Sequence, residues 1–576
     1  MITRRDLLGS SAVMAAGTVV SRLTGFGRAV IIAAALGLGV TADTFNVPNV
    51  IPNTLYILVG GGVLNSVLVP ALVRAIKEDA DGGVAYSQRL FSVVVLVLGV
   101  ASVVAVLAAP WIVRAFVSPQ FLTPRLEPFF DNMVMFARFC LPQIFFYGLY
   151  VLIGQMLNAR GRFGPMMWAP IVNNVVAIAI FAAFILVMGT NTDRPFTDTE
   201  VLVLGLGSTA GVAAQALVLL PVLRHTGFRI RLRTDWRHAG LGTAARLGLW
   251  TIGFVLVNQV AYLFVVRTAT GGAAGAFVDS STTGAGYSVY ANAMLIMMVP
   301  HAVITVSLAT ALLPQLSGHA AEGNLALVRD RLTEAMRMCL AVIVPIAALL
   351  AATSIPLVRL LFDHGAAADD TDELAATLAA LVPGLIAFTV HYLVLRGFYS
   401  LQDTRTPFFV QLWVSGTVIA VALVIAAIGP PRVTVLLAAG FSLAYLVGAT
   451  VSIGRLGRRI GGIPRWPLLR HILRLLVPAT LGALAAYALV TLLDGPLDGL
   501  AGWLGDLVAL AAGGTVGLLA YVAFGYLMQI TEIREAVTVI LRRFRRRPPS
   551  MRSDGGSVAG PPAVDDAAPD STPGEP

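Results

Sequence analysis

Long apolar runs recur along this chain from about residue 10 to about residue 530, each close to the roughly 20 residues that carry a helix across a bilayer core of about 30 Å. A backbone passing through hydrocarbon must pair its own amide and carbonyl groups, so such runs fold as helices or as a closed barrel. These runs are too long and too evenly apolar for the alternating strands of a barrel. An all-α polytopic membrane protein follows. Mean hydropathy of +0.81 with only 12% charged residues excludes a soluble globular chain. Its 56 glycines and 31 prolines predict many kinked or broken helices.

The formal net charge is +9, which raises the question of nucleic acid. The basic residues fall in short loops between apolar runs, with no basic domain or aromatic-interleaved patch, so no nucleic-acid partner is expected. Cys140 and Cys339 each sit inside an apolar run and read as small buried hydrophobes; no metal-ligand spacing accompanies them. The start, MITRRDLLGSSAVMAAG, carries the twin arginine of an export signal, with Ala15-Ala16 as a cleavage region. The apolar pattern continues past any such point, so the basic N-terminus reads as a topology signal.

Fourteen spans are expected, the second covering about residues 43–73. With a cytoplasmic N-terminus, the inner loops hold Arg74, Lys77 and Arg89, then Arg160 and Arg162, then the run from Arg224 to Arg237, and later Arg329, Arg405 and Arg455 to Arg470. The outer loops keep little beyond Arg125, Arg194 and Arg432, beside acidic stretches such as FDHGAAADDTDE. This asymmetry survives every alternation and places both termini inside.

An internal repeat divides the chain. APWIVRAF ends the third span and IPLVRLLF the ninth, Pro110 matching Pro356 at an offset of 246. NSVLVPAL matches SLATALLPQL, Pro70 against Pro314 at 244, and NARGRFGPMM matches SLQDTRTPFF, Pro165 against Pro407 at 242. An even number of spans separates the copies, so they run parallel, related by an axis along the membrane normal. The expected architecture is two parallel six-helix lobes around a central cavity, at 1–225 and 226–455, with two further transmembrane helices at 456–535. Residues 536–576 read as a basic juxtamembrane cluster, ILRRFRRRPPS, followed by a disordered cytoplasmic tail.

Against this apolar background Arg22, Arg28 and Asp43 stand out, since each charge at hydrocarbon depth costs about 2.5–3.5 kcal/mol on insertion scales. Arg22 and Arg28 are six residues apart, so on a straight helix they sit about 120° apart around the axis and about 9 Å along it. Thr24, Gly25 and Gly27 between them permit a bend that turns both toward one cavity. An arginine fork suits a phosphate oxyanion. The alternative is that one arginine snorkels to an interface while the other pairs with Asp43. Asp43 itself opens the second span, where an N-cap role is common and compatible with a counter-ion role.

No enzyme constellation emerges: there are no paired carboxylates at a helix end, no His/Glu metal spacing, no P-loop and no nucleophile with a base. The triple glycine at 60–62 lacks the Lys-Ser/Thr of a phosphate loop and reads as close packing or a helix break.

SRLTGFGR, then TADTFNVPNVIPNTL, then LVPAL resemble the start of the MurJ/MviN lipid II flippase family of the MOP transporter superfamily. GQMLNARGRFGPMMWAPIVNN, VSLATALLPQLS and RGFYSLQDTRTP extend the resemblance, in order, over about residues 8–530. It implies a transporter that flips lipid-linked peptidoglycan precursor from the cytoplasmic to the outer leaflet of the bacterial inner membrane by alternating access. It implies substrate contacts at Arg22, Arg28 and Asp43 in a cationic cavity. A family arginine of the second span is replaced here by Tyr56, an acidic residue soon after falls at Gly61, and a cavity arginine of the eighth span is absent from YANAMLIMMVPHAV. Asn53, Tyr56, Arg138 and His301 are therefore the accessory cavity candidates, with Arg267, His391 and Arg396 as further polar groups whose plain reading is snorkelling or helix packing. The expected partners are lipid II, membrane lipids and proteins of cell-wall synthesis or division. No cofactor is implied, and coupling to membrane potential or a monovalent ion stays open. The alternatives are a flippase for another polyprenyl-linked glycan, a MOP-type exporter, or a scaffold recruiting cell-wall enzymes.

Overall fold

The computed structural model describes residues 4–57, 72, 75, 78–79, 81–192, 194–228, 231–235, 241–278, 286–497, 502–535 and 537–538. All regular structure among them is helical, and 13 helical segments are long and apolar enough to cross a membrane. The second expected span begins as a 17-residue helix and continues outside the described residues, together with Pro70 and Gly61. The basic juxtamembrane cluster and the tail also lie outside them.

The first copy of the repeat runs α1 (Arg4–Leu36), α2 (Val40–Tyr56), α3 (Val84–Leu107), α4 (Ala109–Phe116), a short 3-10 helix (Pro119–Leu122), α5 (Glu127–Cys140), α6 (Gln143–Ala159), α7 (Gly164–Met188), α8 (Asp198–Leu217) and α9 (Leu219–His225). The second runs α10 (Leu241–Val278), α11 (Tyr287–Pro300), a π-helical turn (His301–Thr305), α12 (Val306–Ala321), α13 (Leu325–Ala352), α14 (Ser354–Phe362), a 3-10 helix (Gly365–Asp370), α15 (Thr371–Ser400), α16 (Arg405–Ile428) and α17 (Val433–Gly457). Two more helices follow, α18 (Arg465–Leu497) and α19 (Gly502–Leu527).

Prolines mark the interruptions. Pro110 sits in the first turn of α4, where its missing amide would be unpaired in any case. Pro300 ends α11, and the freed backbone relaxes into the π turn that starts at His301. The fourth expected span divides at Leu141-Pro142 between α5 and α6.

The two copies pack alike. In the first, α1 lies on α7, α7 on α8, α6 on α3 and on α8, and α4 on α5. In the second, α10 lies on α16, α16 on α17, α15 on α13 and on α17, and α14 on α15. Even the short 3-10 helices correspond, at an offset of 246 between Pro119 and Gly365. Contacts between the copies are reciprocal as well: α1 meets α14 and the second 3-10 helix, while α10 meets α4 and the first. This is the pattern of an isologous interface, where residue i on one side meets j on the other and the reverse. These contacts gather at the end where α1 finishes and α2 begins. The basic loops lie at the opposite end, because each span crosses once.

Packing follows residue size. Phe45 stands edge-on to Phe136 and to Phe181 in the core of the first copy, with centroids 5.5 and 5.1 Å apart. Small residues join the last two helices. A Cβ on Gly482 would lie 2.5 Å from the Gly517 carbonyl oxygen, so α18 and α19 approach at backbone distance. Cys140 and Cys339 are buried and free.

At the basic end, Asp235 accepts from Arg89 Nε at 2.8 Å and from Arg233 Nε at 3.0 Å. The two guanidinium groups hold its carboxyl well below the usual carboxylate range. This clamp ties the connection between the copies to the first turns of α3.

Candidate functional site

A polar cavity of ≈ 400 Å³ opens between α1, α2, α6, α7 and α11. Arg28 reaches it from α1, and Asn46, Asn49 and Asn53 line it from α2. These three asparagines are spaced i, i+3, i+7, which puts them on one helix face. That spacing is legible in TFNVPNVIPNTL, although only Asn53 of the three is among the sequence candidates. Asn174, Asn292, Tyr147 and Tyr287 complete the polar wall.

The repeat places this cavity on its own axis. Asn46 and Ala291 both line it, as do Val50 and Leu295, and each pair is separated by 245 residues, within the 242–246 range of the repeat offsets. Under a two-fold, equivalent residues stand face to face only near the axis.

Arg28 is half-buried and, among the described residues, has no ion pair. Its charge bears on Tyr147 across the cavity. α1 runs unbroken past it, so the expected bend at Gly25 and Gly27 does not bring both arginines into one cavity. The glycines serve packing instead. Asn174 Nδ2 donates to Ser21 O and Thr24 Oγ1, both at 3.1 Å, and a Cβ on Gly25 would stand 3.4 Å from that nitrogen. Arg22 is exposed on another face of α1.

Asp43 does not line the cavity. It is fully buried and accepts from the backbone amides of Tyr287 at 2.8 Å and Ser288 at 2.7 Å, and from Ser288 Oγ at 2.7 Å. It therefore caps a helix, but not its own: α2 has Gly39 at its N-cap with no side-chain bond, whereas Asp43 satisfies the first amides of α11. α11 begins after Gly286, where a Cβ would clash with Asp43 Oδ2 and lie 2.8 Å from Ala273 Cβ. Asn46 Nδ2 adds a second link to Ser288 Oγ at 2.9 Å.

The remaining candidates divide by position. Asn53 lines the cavity, and Tyr56 stacks on Tyr147 at 5.5 Å between ring centroids. Arg138 points away, exposed on α5, because the inward face of that helix is filled by Phe136, Ala137 and Cys140. His301 is only 4% exposed, and its Nδ1 has no partner. It lies against Phe388 and Tyr392, with centroids 4.3 and 4.9 Å away. Arg267 donates to Arg114 O and Ala115 O at 3.1 and 3.0 Å, closing the last carbonyls of α4. His391 is a buried packing group whose Nδ1 meets Ser452 Oγ at 3.3 Å. Among the described residues no group of three or more His, Cys, Asp or Glu could hold a metal ion.

The site therefore offers a guanidinium with no ion pair among the described residues, a face of neutral amides and phenolic hydroxyls, and a capped, closed end. Such a surface suits an oxyanion with polar substituents and contains no nucleophile with a base.

A sequence profile of the family described as "Lipid II flippase MurJ" matches residues 32–497. The chain is 29% identical over 503 residues to a probable lipid II flippase MurJ of Rhizobium meliloti (strain 1021), covering 86% of this chain and 88% of the relative. It is 28% identical over 395 residues to a lipid II flippase MurJ of Burkholderia cenocepacia, covering 68% and 72%. Among solved structures, a lipid II flippase MurJ in an inward closed conformation superposes with a TM-score of 0.68 at 18% identity, covering 90% of this chain and 99% of that one. An inward-facing multidrug MATE transporter of the MOP superfamily follows the same fold with a TM-score of 0.60 at 15% identity, over 77% and 95%.

Proposed function

The chain belongs to the lipid II flippase MurJ family, and from that premise we propose that it flips lipid II from the cytoplasmic to the outer leaflet by alternating access. It is a multi-pass membrane transporter and not an enzyme. Both termini are read as cytoplasmic, which puts the basic loops inside and the junction of α1 with α2 outside.

One observation carries this reading: an unpaired arginine, Arg28, stands in a polar cavity on the axis between two repeated halves. A guanidinium at that depth needs an anionic partner, and a diphosphate supplies one with matching fork geometry. The amides of Asn46, Asn49 and Asn53 then face the oxygens and sugar hydroxyls of the headgroup. Residues 1–225 and 226–455 act as lobes that rock about the axis, exchanging the contacts at the outer end for equivalent ones at the inner end. The polyprenyl tail stays in lipid beside the second lobe. Membrane potential resets the cationic cavity, since each charge moved through the full field is worth about 2.3 kcal/mol per 100 mV.

Depleting the protein while following lipid-linked precursor on the outer leaflet tests the reading; unchanged exposure in a cell without a paralogue overturns it. Competition between lipid II and other polyprenyl-linked glycans for the purified protein separates lipid II from its chemical relatives. A recruiting scaffold is distinguished by deleting residues 548–576, which should leave growth intact if transport is the essential activity.

A further inference from the structure

Each copy holds a pair of rings in contact. In the first copy Tyr56 stacks on Tyr147. In the second copy His301 and Tyr392 touch, with ring centroids 4.9 Å apart. The first pair lies beside Arg28. The second pair has its own cation: the Arg396 guanidinium sits 4.4 Å over the Tyr392 ring and donates through Nη2 to the Tyr392 hydroxyl.

This cation is not a relic of the repeat. At the offset of 242 that matches Pro165 with Pro407, the position equivalent to Arg396 is Gly154, a buried residue of α6. Nor is it a paired structural charge: among the described residues Arg396 has no carboxylate partner, and its Nε is buried without a hydrogen bond. The His301 Nδ1 beside it is also unpartnered. A guanidinium and an unsatisfied imidazole nitrogen meet at the Tyr392 ring, with no acid paired to either among the described residues.

The geometry points to a second anion subsite, formed by Arg396, Tyr392 and His301, that receives a peptide carboxylate of the lipid-linked headgroup. A ligand held both there and at Arg28 carries anionic groups on two separate arms, and a diphosphate alone does not. A headgroup whose peptide branches from the sugar beside the diphosphate does. The inference rests on the flippase reading above and adds to it how the headgroup is recognised.

Affinities of the full-length protein in nanodiscs for two lipids decide the matter: lipid II with its free peptide carboxylates, and the same lipid with those carboxylates amidated. Wild-type protein should prefer the free form by about tenfold, the scale of one charge-assisted contact. Arg396→Gln should abolish the preference while leaving affinity for the amidated lipid unchanged, which also shows the variant to be folded. Arg396→Lys should retain part of the preference, and Arg28→Gln should weaken both lipids alike. Equal affinities for wild type, which need no variant, overturn the subsite, as does an equal loss for both lipids in Arg396→Gln. If the wild type binds neither lipid, the flippase reading falls and the subsite falls with it.

Discussion

Asp43 and Ser288 are bonded twice, amide to carboxylate and hydroxyl to carboxylate, and they stand 245 residues apart, within the 242–246 range of the repeat offsets. Each opens the second long helix of its copy. Equivalent residues that touch mark the axis, so this contact is where the two halves turn about one another. The closed end is held there by a carboxylate on a helix N-terminus, one of the stronger positions for a buried negative charge.

Asp43→Asn should loosen that end. The amide keeps one acceptor oxygen but loses the charge, and bonds to charged groups are worth about 1.5–3 kcal/mol. Hydrogen exchange at the Tyr287 and Ser288 amides should accelerate by about tenfold or more. Unchanged protection would show that the cap does not hold the end closed.

Gly286→Ala should act through the same contact, because its new methyl group occupies the place of Asp43 Oδ2. Thermal unfolding of the single variants and of the double variant with Asp43→Asn should be strongly non-additive, as expected of residues sharing one contact. Simple additivity would place the strain at Gly286 elsewhere.

Arg28→Ala should abolish complementation of a strain lacking its own flippase, and Arg28→Lys should restore it only in part, since a point charge replaces a bidentate fork. Full growth with the alanine variant at normal expression would make Arg28 a structural residue.

Asn53→Leu should weaken headgroup binding several-fold without altering the melting temperature, because Asn53 lines the cavity and anchors no other helix through a bond described here. A large loss of stability would instead make it a packing residue.

The clamp on Asp235 has a defined pH signature. Its carboxyl titrates lower when folded, so its stabilisation is complete above the unfolded value of about 3.9 and is lost as pH falls through the folded one. The difference in melting temperature between wild type and Asp235→Asn should hold between pH 7 and pH 5 and shrink only in stronger acid. A difference that widens on acidification would contradict the assignment.

Part of this was legible in one dimension. The recurrence of long apolar runs determines a helical membrane protein, because lipid leaves a backbone no other way to pair its polar groups. Three proline matches near one offset reveal the repeat, and the lone charges of α1 single out Arg22 and Arg28 alike. The asparagine face of α2 was readable too, from i, i+3, i+7 spacing, though neutral amides attract less notice than charges.

What Asp43, Arg22 and Arg138 do was decided only by the tertiary structure. An aspartate in a first turn looks like a cap for its own helix, and nothing local says that it reaches the amides of a helix 245 residues away. Arg22 and Arg28 share a helix, yet an unbroken α1 turns them to different surroundings, one to the cavity and one to an exposed face. Arg138 is as deep in its run as a cavity residue should be, but the rotation of α5 against its neighbours turns it outward. Periodicity states which residues share a face; which way that face turns depends on how distant helices pack, and that information is carried by contacts between the two copies and not by either segment alone.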